Sequence, residues 1–510
     1  MTAGMVLGVG RKRGMASTLS APVRGWNTRD PISEMKDGYA LTLDNWFPDS
    51  SKISLRRGYR SHSTGMSSDV ESLLTWEGPS SSKLFAFANT KIWDASTYAG
   101  TASDVTNSTT ITNNKWIGQN FGGKLTCVNG VDECLQYSGS TWAHTGFTGV
   151  TEANLANINA YRSRLYMVEK STWKVWYGAA DAITGALTSF DMQYVAKSGG
   201  YLMAQGNISR DSGAGADDVT AFVGSTGEVL VYEGSYPGDT TWKLIGRYKT
   251  APPIGRKCLF NVGGELVIIT KAGLVSMSEV MTTAEGANTD VRLTRNIAPT
   301  FNQAARDYGD NFGWQVILHP RGTMGICNIP IVEGDQAHQY VWNTLTGAWC
   351  RFKNIPAICW AIFNDKPYFG GNSGVVYEFD VTNSDAGAAI AGDVRPAFSY
   401  LGKRGMRKQF HLAKPIFVAD SALSLSVDLE VDYQESTPNN TVSLTGASGT
   451  AWDDGDWDSF DWAGGALIYQ DTYGVSGLGD CASLRIRSST VDVQIALNAM
   501  SLYYTPASFL

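Results

Sequence analysis

The sequence predicts an all-β chain built around a β-propeller of about seven blades, with an extended N-terminal arm and a C-terminal β-sandwich-like domain. Three observations carry that prediction. The first is composition: glycine occurs 55 times in 510 residues, tryptophan 16 times and tyrosine 22 times, which favours tight turns and pleated, half-buried surfaces over long helices. The second is one hairpin written seven times. The third is the even spacing of the copies.

The arm and a propeller-closing strand are assigned to residues 1–68. This stretch is polar, dotted with Pro and Gly and weakly periodic, as a segment lying across a surface would be. Within it "KISLRRGYR", from Lys52, reads as a strand able to complete the first or last blade. The basic run "GRKRG", from Gly10, is read as a solvated arm and, secondarily, as a phosphate contact. "MVLGVG" ahead of "RKR" reverses the order of a signal peptide and is too short to span a bilayer. No stretch approaches 18 apolar residues, so a soluble chain made in a reducing cytosol is expected.

The propeller is assigned to residues 69–385. Its hairpins begin at Lys83 ("KLFAFANTKIWDA"), Lys124, Arg164, Thr220 ("TAFVGSTGEVLVYEG"), Glu265, Thr323 and Lys366 ("KPYFGGNSGVVYEFD"). Each is an apolar run, a turn carrying Gly, Asn, Asp or Lys, and a second run rich in Val, Tyr and Trp. The starts are separated by 41, 40, 56, 45, 58 and 43 residues. That is the length of a four-stranded blade, with insertions in two of them. Three hairpins run on through a loop to Trp142, Trp242 and Trp349, which are expected to start outer strands. A sandwich is the alternative reading of regular short strands.

The tail domain is assigned to residues 386–510. Small and polar residues after Asp380 read as a linker, and "LSLSVDLEVDY", from Leu423, alternates apolar and polar residues like a strand with one wet face.

Charge and chemistry narrow the function. A net charge of −7, from 41 basic and 48 acidic residues, gives no global attraction to a phosphate backbone. The seven cysteines form no CxxC pair and the five histidines stand at no ligand spacing, so the cysteines read as buried thiols and no cofactor is expected. No GxSxG elbow, P-loop or dinucleotide fingerprint occurs, and no catalytic residue is assigned. In "WDDGDWDSFDW", Asp454, Asp456 and Asp458 alternate and supply hard oxygens suited to calcium. The segment lacks the glycine and the terminal Glu of an EF-hand loop, so the plainer reading is an exposed turn whose Trp452, Trp457 and Trp462 pack on a neighbouring chain. Trp173, Trp176 and Tyr177 read as blade packing, with a sugar-binding shelf as the alternative.

The opening run carries a family resemblance. A Gly-Trp-Asn at residues 25–27, "DGYA" at 37–40, "LDNWFP" at 43–48 and "LRRGY" at 55–59 resemble the start of the tail hub, or nozzle, proteins of short-tailed bacteriophages. That group includes proteins named for stabilising packaged DNA. "GNSGVVYEFD" and "WDDGDWD" are also similar to later segments of such proteins. The resemblance implies a virion protein, assembled in the host cytoplasm, that forms a ring, hexameric in the family. Such a ring extends or closes the DNA channel below the portal and head-to-tail adaptor and anchors fibres or spikes. DNA would pass without sequence-specific binding, and no membrane insertion is expected. The expected interface residues are Trp26, Trp46, Phe47, Arg56 and Arg57, with Trp452, Trp457 and Trp462. Two rival classes stay open: a carbohydrate-binding host-recognition propeller, and a polysaccharide depolymerase with paired carboxylates.

Overall fold

Each predicted hairpin leaves two wet faces unless sheets pack on both sides of it, and that requirement organises the chain. The computed structural model describes residues 14–107, 109–209, 218–282, 292–421, 423–436, 441–444 and 467–507. Two units result. One comprises Gly58–Gly347 with Phe352–Ala386, the other Met1–Arg57, Ala348–Arg351 and Gly387–Leu510.

The first unit is a seven-bladed β-propeller. The seven hairpins are the second and third strands of successive sheets, from Ser82–Ala88 with Lys91–Asp94 in blade 1 to Lys366–Gly370 with Val376–Thr382 in blade 7; among the described residues blade 5 has three strands. Asn89 and Thr90 both take φ of 52°, the type I′ geometry whose twist matches its flanking strands. One inner strand precedes each hairpin: Ser72–Glu77, Ile117–Phe121, Leu155–Tyr161, Leu202–Ile208, Leu259–Val262, Gln315–Leu318 and Cys359–Phe363. Each lies beside the next, and the seventh lies beside the first, so the ring closes. This excludes the sandwich reading for this region.

Closure uses the N-terminal side of the chain. Gly58–Thr64 pairs antiparallel with Val376–Thr382, Tyr59 opposite Phe379, and so supplies the outer strand of blade 7 from the far end of the sequence. The expected closing strand is thus real but shorter than "KISLRRGYR", because Ile53–Leu55 belongs to the other unit. Strand alternation then feeds two packing layers at once. In blade 1, Phe85 and Phe87 pack with Trp116 and Leu125 of blade 2, while Leu84, Ala86 and Ala88 pack with Cys359 and Tyr368 of blade 7. Trp142 and Trp349 open strands, as expected, and Trp242 stands one residue before Lys243–Lys249. The wide spacing after Glu265 holds two helices, Met277–Thr282 and Ala298–Tyr308.

The second unit is a two-sheet sandwich. One sheet runs Trp46–Pro48, Ile53–Leu55, Ile495–Pro506, Lys408–Ala419, with Met15–Ser20 added on Ile495–Pro506. The facing sheet includes Gly25–Trp26, Tyr39–Asp44, Ile390–Pro396, Ala482–Thr490 and Leu423–Val431. Close approach fixes Gly392, where a Cβ would stand 2.5 Å from Trp46 Nε1 and 2.8 Å from Leu55 Cδ1 across the interior. Residues 15–57, expected as an arm over a surface, therefore supply five of the sandwich strands.

Candidate functional site

The resemblance residues up to Arg57 lie in the sandwich unit, where Trp26, Asn27, Asp44, Asn45, Trp46 and Arg56 are buried. Asn45 takes a left-handed φ of 60°, which Asn tolerates better than most residues, and this turns the chain between Tyr39–Asp44 and Trp46–Pro48. Its amide nitrogen donates to the Ala391 carbonyl at 2.7 Å, and its oxygen accepts from Arg56 Nε at 2.9 Å. One residue earlier, Asp44 receives a bidentate pair from Arg351, at 2.7 and 2.9 Å. The same guanidinium lies 5.1 Å from the centre of the Trp26 ring. Asn27 caps its own turn by accepting from the Arg29 and Asp30 amides.

This placement corrects part of the expected interface set. Trp46 is 0% exposed, Trp26 3% and Arg56 4%, so their side chains are spent inside the unit and offer no anchor to a neighbour. Phe47 is half-buried and Arg57 exposed. Trp452, Trp457 and Trp462 lie outside the described residues, as do the calcium candidates Asp454, Asp456 and Asp458 and nearly all of the basic run from Gly10.

Polar groups inside the two units serve mainly as fasteners. The strand face expected to be wet in "LSLSVDLEVDY" is exposed at Ser424 and Asp432 but buried at its centre, where Asp428 and Glu430 are 2% and 0% exposed. Asp428 pairs with Arg487 at 3.0 Å and Glu430 with Arg395 at 2.5 Å, while Arg485 grips Asp393 at 2.7 Å. In the propeller, burial works to raise the Glu378 carboxyl, but hydrogen bonds from Lys366 and Arg60 overcome it and hold it below its ordinary value. Both His319 nitrogens are engaged, Nε2 with Asp380 at 3.0 Å and Nδ1 as acceptor for the Arg321 and Gly322 amides. The cysteines are buried and free, and burial pushes the Cys258 thiol up to about 12, far from a reactive thiolate. Trp173 is buried, Trp176 donates to Glu169 at 2.9 Å and Tyr177 stacks on Tyr166.

The sequence reading missed a ring of amides along the propeller axis. Asn120 donates to the Thr75 carbonyl of the preceding blade at 2.8 Å, and Thr75 Oγ1 donates to Ile362 of blade 7 at 2.8 Å. Asn159 reaches the Gln205 carbonyl at 3.1 Å and Asn207 returns a bond to Ala160. Gln315 donates to the Trp360 carbonyl and accepts from its amide, at 2.9 and 3.2 Å. These clasps stitch neighbouring inner strands side chain to backbone. The signal was present in the recurrence of "GQNF", "NINAY" and "QGNI" before three of the hairpins.

Between the clasps lies an axial cavity of about 300 Å³. Gln119, Asn157, Asn159, Gln205, Asn261 and Gln315 line it, together with Arg256 and Lys257. A second cavity of similar size shares Ile117, Arg256, Lys257 and Gln315 with the first and adds the loop residues Lys115, Asp310 and Glu333.

No family model matches the sequence, and no curated protein matches it. Among solved structures, the chain is similar to YCF48 bound to D1 peptide, at 9% identity and a TM-score of 0.39, covering 64% of this chain and 98% of that one. It is similar to BBS1N in complex with ARL6DN at 10% identity and 0.38, covering 65% and 99%. It is also similar to the computationally designed Ika8 protein, at 10% identity and 0.37, covering 63% and 100%. Scores of this size carry no argument; the propeller assignment rests on the seven sheets and their closed inner ring.

Proposed function

We propose that this chain is a structural subunit of a short-tailed bacteriophage tail, forming a ring with copies of itself next to the portal and adaptor and offering attachment to fibres or spikes. The observation that carries the reading is where the resemblance residues between Gly25 and Tyr59 fall in the fold. The words that resemble tail hub proteins fall on turns, buried ion pairs and strand joints, where a family sharing this scaffold would need fixed residues. A structural role without a reaction is further supported by the use of Glu378, His319, Asp428 and Glu430 as fasteners. The net charge of −7 suits a conduit wall, since each Lys or Arg on a phosphate adds affinity through counterion release.

Antibody labelling of purified virions tests this reading. The account predicts gold at the tail vertex and a fixed ring-sized copy number per particle. Label on a fibre tip, or polysaccharide cleavage by the purified chain, would overturn it in favour of a receptor-binding or depolymerase role.

A further inference from the structure

We infer that the axial cavity of the propeller binds a small protonated oxyanion, of which inorganic phosphate is the simplest. Among the described residues, two cations and no carboxylate line this cavity. Lys257 makes no hydrogen bond or ion pair there, and the enclosing wall holds its ammonium below its ordinary value. The Arg256 guanidinium spends one N–H on the Asn129 carbonyl, at 2.7 Å. In the adjoining loop cavity, Glu333 is taken by Lys115 at 2.8 Å. Asp310, also there, forms no ion pair with Lys257. A partly desolvated cation without a counter-charge is unfavourable, and an anion in the cavity removes that cost.

The amides select the kind of anion. Asn157, Asn159, Asn261 and Gln315 each commit one amide hydrogen to a neighbouring carbonyl, which leaves a second donor on each nitrogen. Gln205 adds the opposite polarity. Its nitrogen donates to Asn207 and Thr220, while its oxygen is buried without a donor. A halide satisfies the donors and leaves that oxygen unmet, whereas hydrogen phosphate accepts from the cations and amides and donates its P–OH to Gln205. The volume far exceeds the roughly 10–15 Å³ that one water needs. This inference does not depend on the proposed tail role.

Titration of the full chain with inorganic phosphate, followed by phosphorus NMR, tests it. One saturable phosphate per chain is expected, about tenfold or more tighter than chloride competes for the same site. Lys257→Met should weaken binding at least about tenfold, and Gln205→Glu, which supplies an internal carboxylate, should abolish it in a folded chain. Lys243→Met, on the outer strand of blade 4, should leave it unchanged. Failure of the parent to saturate, chloride competing with equal affinity, or parent-like binding by Gln205→Glu would each overturn the inference. Should Lys257→Met fail to fold, the Gln205→Glu titration and the chloride competition decide alone.

Discussion

At Gly58 the chain enters the closing strand of the propeller, and there is no space for even a methyl group. A Cβ would stand 1.9 Å from the Ser384 carbonyl oxygen, a backbone atom that cannot swing away. Gly58→Ala is therefore expected to destabilise the propeller by about 2–3 kcal/mol, read as a lower midpoint in chemical unfolding. An unchanged midpoint would contradict the packing described. Glu378 makes a second residue-level claim, on pH. Its folded-state value lies below the ordinary 4.5, so its contribution is present above 4.5 and is lost as pH falls through the lowered value. The parent should lose stability over that acid window more steeply than Glu378→Gln, which carries no titrating group. Identical acid slopes would show that the Arg60 and Lys366 contacts do not matter. At neutral pH the same substitution should be destabilising, since it leaves Lys366 and Arg60 with a weaker partner.

The elements were legible to different degrees, for physical reasons. Middle strands announce themselves because they are apolar on both faces, as in "AFVG" and "VLVY", and end in turns whose residues accept positive φ. Inner strands do so less, because five of the seven carry Asn or Gln, residues that are depleted in strands and common in turns. The amide clasps were hard to read for that reason, although Asn and Gln recur at one place before three of the hairpins. Residues 15–57 read as an arm because their strands are short, and strand partners hundreds of residues away leave no local trace. Arg56 and Trp46 read as interface anchors because large exposed-type side chains in a polar stretch do not reveal that Asn45 and Gly392 have made room for them. The clasps yield a prediction at this scale. Asn120→Ala and Asn159→Ala should each cost about 1 kcal/mol, and the pair should be additive, being on separate blade junctions. Thermal unfolding of the singles and the double checks it; no loss in either single would mean the clasps are incidental.

For the whole molecule, the propeller and the sandwich share one chain that passes between them four times, at 57/58, 347/348, 351/352 and 386/387. Neither unit is a simple contiguous segment. Rings made of identical subunits close by heterologous contacts. The central proposal is that this chain builds a ring with copies of itself, and native mass measurement of the purified chain with portal and adaptor proteins tests it most directly. The account predicts a closed oligomer, six copies of 55.1 kDa if the family stoichiometry holds, seen as a ring in negative stain. A lone 55.1 kDa particle under those conditions would contradict it.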